Sequence, residues 1–204
     1  MESLKDIAEQ LISCRRCSLY KYATQAVPGE GNSEAKILFV GEGPGFWEDQ
    51  KGIPFCGPSG KLLDELLSTI GGSASGGQSI SREAGSRSAG KLAREDVFIT
   101  NVVKHRPPQN RDPLPEEVEA CSFWLDKQIK IIDPKIIVTL GRFSMTKFFP
   151  GEFISKIHGT NRMIFWNDKE ITVMPMYHPA AALRDRNVMA ELKSDFLKLG
   201  KLIQ

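Results

Sequence analysis

The chain has 204 residues, 41% hydrophobic and 25% charged, which suits one domain with a real core and excludes a fibrous or disordered protein. Its 27 Lys and Arg face 25 Asp and Glu, a formal charge of +2, which excludes a polybasic protein but leaves room for a local basic patch. No apolar run approaches the roughly 18 residues of a membrane span, and the opening Met1-Glu2-Ser3-Leu4-Lys5-Asp6 lacks the basic and apolar regions of a secretory leader, so a cytoplasmic protein is expected.

Leu4, Ile7, Ala8, Leu11 and Ile12 recur on one helical face, and the helix they predict leads into Cys14-Arg15-Arg16-Cys17. The apolar run 35–40 predicts a buried strand. The following Gly41-Glu42-Gly43-Pro44-Gly45 excludes helix and strand and predicts a turn. Leu62, Leu63, Leu66, Leu67 and Ile70 predict an amphipathic helix stopped by Gly71-Gly72. Residues 71–94, rich in Gly, Ser and Ala, read as a flexible insertion. A strand over 97–103 and a stiff loop over 104–115 follow, the loop carrying Pro107, Pro108, Pro113 and Pro115. Pro115-Glu116-Glu117 is the acidic, proline-first start of a helix running to about Ile132. Next come a strand over 136–140, a short helix over 142–149 and a hairpin of 163–166 with 171–176 around Asn167-Asp168. A loop over 177–186 and a helix over 188–203 close the chain.

Strands alternating with helices predict a single α/β domain over 1–204, a three-layer sandwich with a central, mostly parallel four-stranded sheet flanked by helices. Ligands of such sheets sit beyond the carboxyl ends of the strands. The 41–45 turn, Asn101 and the loop opening with His178 hold that kind of position, and are expected to converge on one cleft.

Four cysteines in a reducing compartment point to a metal, a cluster or reactive thiols rather than disulfides. Cys14 and Cys17 have the spacing to grip one metal or one cluster edge. Cys56, Cys121 and the three histidines are candidates for the further ligands. Spacing does not choose among them, and leaves zinc and iron–sulfur both open.

Three segments together resemble the family 4 uracil-DNA glycosylases and the related X-type family, which captures uracil-DNA covalently. They are Gly41-Glu42-Gly43-Pro44-Gly45-Phe46-Trp47-Glu48-Asp49 continuing through Gly52-Ile53-Pro54-Phe55-Cys56-Gly57-Pro58-Ser59-Gly60-Lys61-Leu62-Leu63, then Ile99-Thr100-Asn101-Val102-Val103-Lys104-His105-Arg106-Pro107-Pro108-Gln109-Asn110-Arg111, then His178-Pro179-Ala180-Ala181-Ala182-Leu183-Arg184. The resemblance implies a monofunctional glycosylase that hydrolyses the N-glycosidic bond of flipped-out deoxyuridine, giving free uracil and an abasic site in base-excision repair. It implies that Phe55 stacks on the base, Asn101 reads its O4/N3 edge, and His178 donates to O2 as negative charge develops. Glu42 would orient water or stabilise the cationic sugar, and the Gly43, Pro44 and Gly45 backbone would approach the nucleotide closely. Lys104, Arg106 and Arg111 become candidates for phosphate contacts, with Leu183 and Arg184 as candidates for a wedge into the duplex. Taken singly, each residue has a plainer reading: core packing for Phe55, turn capping for Asn101, a loop histidine for His178, a solvated turn for Glu42, and loop anchors for Glu48 and Asp49.

Family 4 members carry a [4Fe–4S] cluster on four cysteines. The resemblance places Cys14, Cys17 and Cys121 at three of those positions and His105 at the other, as in the X-type family. Cys56 is left as a pocket-wall residue. The interval 106–120 lacks the histidine with which X-type proteins trap the sugar, so ordinary turnover is expected. The expected partner is uracil-containing DNA, single- or double-stranded, bound by a monomer with no membrane contact. The competing readings are a non-catalytic iron–sulfur module that binds nucleic acid or senses damage, and a small redox protein. Scattered positions for Glu42, Phe55, Asn101 and His178 would favour the first of these.

Overall fold

Strands β2 (Ile37–Gly41), β3 (Phe98–Asn101) and β4 (Ile136–Leu140) are buried at every residue, as strands covered by helices on both faces must be. The computed structural model describes residues 2–70, 91–166 and 168–203. With β1 (Glu30–Gly31), β5 (Arg162–Trp166) and β6 (Lys169–Met176), these strands form a six-stranded sheet in the order β1-β3-β2-β4-β6-β5. The inner four, β3, β2, β4 and β6, run parallel. The expectation of four strands is thereby corrected to six: β1 and β5 add antiparallel edges. Two residues of β1 offer no periodicity to read, and half-exposed β5 belongs to the hairpin foreseen from the sequence.

Alternate strand residues feed two cores. Ile37, Phe39, Ile99, Val138 and Met174 face one side, under α3 (Pro58–Thr69) and α8 (Arg186–Leu202). Leu38, Val40, Phe98, Ile137 and Val173 face the other, under α4 (Pro115–Ile132) and α5 (Arg142–Thr146). A third cluster packs α1 (Leu4–Ile12) against α4 through Ile7, Leu11 and Trp124. The α1 start is fixed by a capping box: Ser3 Oγ accepts from the Asp6 N–H (3.2 Å), and Asp6 accepts from the Ser3 N–H (2.7 Å). Ile12, expected on the buried face, is 81% exposed, because it lies roughly 100° round the helix from Leu11.

Of the expected insertion 71–94, residues 71–90 lie outside the described residues. Its last residues belong to the fold. Leu92 packs on the first core and bonds the Ile70 carbonyl (3.1 Å), and Arg94 opens a 3-10 turn, Arg94–Asp96. Three short helices lie where no helix was foreseen: α2 (Phe46–Lys51), α6 (Ile154–Ile157) and α7 (Pro179–Ala182), the last inside the expected loop 177–186. Each is too short to show a helical period.

Candidate active site

The chain leaves β2 toward β3 on one side of it and reaches β4 on the other, which makes the carboxyl end of β2 the topological switch point. Gly41, the last residue of β2, is in register with Asn101, the last of β3. A cleft of about 500 Å³ opens there. Glu42, Gly43, Pro44, Gly45, Phe55, Asn101 and His178 all line it. The sequence had placed these residues in one cleft, and the structure brings them together.

The register leaves no room at Gly41. A Cβ there would collide with Asn101 Oδ1 and lie 2.6 Å from the Phe55 ring, so the amide and the ring edge meet over a bare backbone. Asn101 is buried, and its Oδ1 is a buried acceptor with no hydrogen-bond partner. An unpaired buried acceptor costs about 1–3 kcal/mol, which a ligand donor would recover.

Phe55 adopts a left-handed backbone (φ 51°), uncommon for an aromatic residue. Three groups hold it there. Glu48, on α2, accepts from the N–H groups of Cys56 (2.9 Å) and Gly57 (3.0 Å). Arg94 donates to the carbonyls of Pro54 (3.1 Å) and Phe55. Gly60 packs so closely that a Cβ would collide with the Phe55 carbonyl. Glu48 and Asp49 are therefore loop anchors, as their plainer reading had it; Asp49 accepts from both the N–H (2.8 Å) and Oγ1 (2.7 Å) of Thr24.

The Phe55 ring stacks on His178, with centroids 5.5 Å apart and planes 25° from parallel. His178 Nδ1 accepts from the Ala180 N–H (3.0 Å), so the neutral ring carries its proton on Nε2 and has a donor there. Burial, aided by the Arg184 cation, pushes its pKa down to about 4. Burial has the opposite effect on Glu42 and raises its pKa, partly offset by the Phe143 N–H that its Oε1 accepts (3.1 Å). Gly141 (φ +103°) makes room for that carboxylate, because a Cβ there would collide with it. The cleft thus offers a stacking face, an unpaired acceptor, a neutral imidazole donor and a carboxylate of raised proton affinity.

The basic residues divide. Arg184 is exposed and lines the cleft, next to Leu183, which is also exposed. Arg111 lines it too, but both its terminal nitrogens bond the buried Glu117 (2.8 and 2.7 Å). Arg106 lies over the Phe46 ring at 5.2 Å. Lys104 corrects an expectation. It is fully buried, and its Nζ donates to Thr100 Oγ1 (2.6 Å), the Asn101 carbonyl (2.7 Å) and Gln128 Oε1 (2.7 Å), so it cannot reach a phosphate. Burial lowers its pKa to about 7. Cys56, expected in the pocket wall, is not among the cleft-lining residues. The sequence reading missed Phe46 and Trp47, which do line the cleft; two adjacent aromatics following a cleft turn were the available signal.

A second group of side chains gathers in the third core. Cys121, on α4, is buried with Cys14 and Cys17 packed against the same cluster. Cys121 Sγ accepts from the Lys104 N–H (3.3 Å), and Cys14 Sγ from Trp124 Nε1 (3.2 Å). Burial raises the Cys17 thiol, and raises that of Cys121 to about 11. Buried His105 follows Lys104 directly, and burial lowers its pKa. Among the described residues, no three His, Cys, Asp or Glu side chains are gathered to hold a single metal ion.

A match to the family described as the uracil DNA glycosylase superfamily covers residues 28–199. The chain is 47% identical to the type-4 uracil-DNA glycosylase of Sulfurisphaera tokodaii, over 99% of this chain and 86% of that protein. It is 46% identical to the type-4 uracil-DNA glycosylase of Archaeoglobus fulgidus, over 99% of this chain and 94% of that one. With the type-4 enzyme of Thermotoga maritima it shares 41% identity, over 91% and 86% respectively.

Proposed function

The chain belongs to the uracil-DNA glycosylase superfamily and to its type-4 branch, and from that membership we propose a division of labour among its cleft residues. The reaction is hydrolysis of the N-glycosidic bond of deoxyuridine in DNA, the first step of base-excision repair. The single observation that carries the assignment of residues is the buried, unpartnered Asn101 Oδ1 beside the Phe55 ring.

A uracil turned out of the helix stacks on Phe55 and gives its N3–H to Asn101 Oδ1. Cytosine has a lone pair at that atom and meets the same oxygen with repulsion, which turns one buried acceptor into specificity. As the C1′–N1 bond breaks, its electron pair moves onto the base and spreads to O2. Neutral His178 donates a hydrogen bond there from Nε2 and needs no proton from solvent. Glu42 stabilises the cationic sugar, orients the water whose oxygen joins C1′, and accepts that water's proton. Uracil leaves, and an abasic site remains. The convergence of these four side chains goes against a non-catalytic module, which would not need them in one cleft.

Cys14, Cys17, His105 and Cys121 would hold a [4Fe–4S] cluster. One buried and two partly buried thiols, with N–H donors on two of the three, fit that donor set. The cluster would tie the end of α1 to the 104–113 segment at the cleft. DNA is engaged in either strand state by a monomer, with Arg184 in the cleft lining and exposed Leu183 beside it in the chain. No helix among the described residues is long and apolar enough to cross a membrane.

The test is incubation of cluster-loaded protein with a uracil-containing oligonucleotide, followed by alkaline cleavage. Scission at the uracil is expected. Intact strands would overturn the assignment.

A further inference from the structure

Phe46 and Trp47 are 47% and 51% exposed, adjacent, and set edge to face with centroids 5.2 Å apart. Single exposed apolar residues are ordinary; two large rings side by side in the wall of the cleft leave an exposed aromatic surface there. Uracil excision as assigned above gives them no task, since the flipped base stacks on Phe55.

We propose that Trp47, braced edge to face by Phe46, forms a stacking platform for the unpaired base that neighbours the flipped uracil on the same strand. The proposal rests on the glycosylase reading and extends it by one nucleotide. The platform is rigid. Its helix α2 carries Glu48, which is bonded to the 56–57 backbone, and Trp47 Cδ1 rests against Gly57, where a Cβ would lie only 3.1 Å away. The Arg106 guanidinium lies over Phe46 at 5.2 Å, with its Nε donating to Asn110 Oδ1 (2.7 Å). It adds a fixed positive charge beside the rings, where the phosphate of a neighbouring nucleotide would run. Rings backed by a cation are how proteins hold successive bases of a single strand without reading sequence. A base still stacked in a duplex cannot take this place. The platform therefore favours uracil in single strands over the same uracil in duplex.

The experiment removes one stacking partner at a time. Single-stranded oligonucleotides carry one uracil, with the base on its 5′ or 3′ side left in place or replaced by a base-free spacer. On one of the two sides, the spacer is expected to lower wild-type kcat/KM about tenfold, mostly through KM. W47A should show that loss already on the unmodified oligonucleotide and no further loss with the spacer, while W47F stays within a few-fold of wild type. A uracil-free oligothymidine should quench the Trp47 emission of wild type. In W47F that quenching should vanish while anisotropy still reports binding. Equal spacer effects in wild type and W47A, or quenching that persists in W47F, would overturn the platform. A wild-type protein that excises no uracil would instead strike the glycosylase reading, and the oligothymidine titration would still decide the platform.

Discussion

Replacing Asn101 by alanine removes the one acceptor aimed at N3–H and leaves the rim of the cleft intact. Excision by Asn101→Ala should fall about a hundredfold or more, by analogy with losing one preorganised polar group, while anisotropy shows unchanged binding of uracil-free DNA. His178 makes a prediction about acid. Its folded pKa of about 4 lies below the ordinary 6.5, so between those values the unfolded chain binds a proton that the folded chain refuses. The stability owed to the neutral ring is complete above pH 6.5 and is lost as pH falls toward 4. The melting temperature of wild type should therefore drop more steeply over that window than that of His178→Gln, as followed by circular dichroism. These residues were legible because each sits at a strand end or in a dense motif. Lys104 was not: a lysine after a strand reads as solvated, and only the fold brings Thr100 and Gln128 round it.

At the scale of elements, α2 exists to hold the loop that bears Phe55. Glu48→Ala leaves the Cys56 and Gly57 N–H groups without their acceptor, and should cost about 1–3 kcal/mol in urea unfolding, together with excision activity. Lys104 pins β3 to α4 in the same manner. Lys104→Met should lower stability by about 1–3 kcal/mol and leave the salt dependence of DNA binding unchanged, since a buried ammonium releases no counterions. Long elements with a clear period, α4 and the inner strands, could be read from the sequence to within a residue or two, while α3 was read at its end but starts four residues before Leu62, at Pro58. The six-residue α2 and four-residue α7 could not, although both carry site residues, because tertiary bonds rather than periodicity make them.

For the whole molecule, the [4Fe–4S] cluster proposed on these thiols would join the N-terminal helix to the segment at the cleft, so stability and iron content should move together. Loaded protein should show a broad visible absorbance, and chelation should bleach it and lower the melting temperature. Cys121→Ser should begin in that bleached, less stable condition. The sandwich was legible because βα alternation leaves few ways to bury a doubly apolar sheet. Of its edges, β5 was foreseen within the hairpin, whereas β1 was not, because two exposed residues leave no pattern to read. The meeting of α1 with α4 depends on side-chain packing between segments far apart in sequence, which no local pattern records.

Leu92 donates its N–H to the carbonyl of Ile70, so the chain departs from the first core and comes back to it across one hydrogen bond. Directly behind that bond, Arg94 fastens the returning segment to the carbonyls of Pro54 and Phe55. Doubling a tether between fixed ends adds only about 0.6 kcal/mol of closure entropy. This is therefore the place where evolution, or an engineer, can splice in a fluorescent reporter or a tethering module without disturbing the pyrimidine slot.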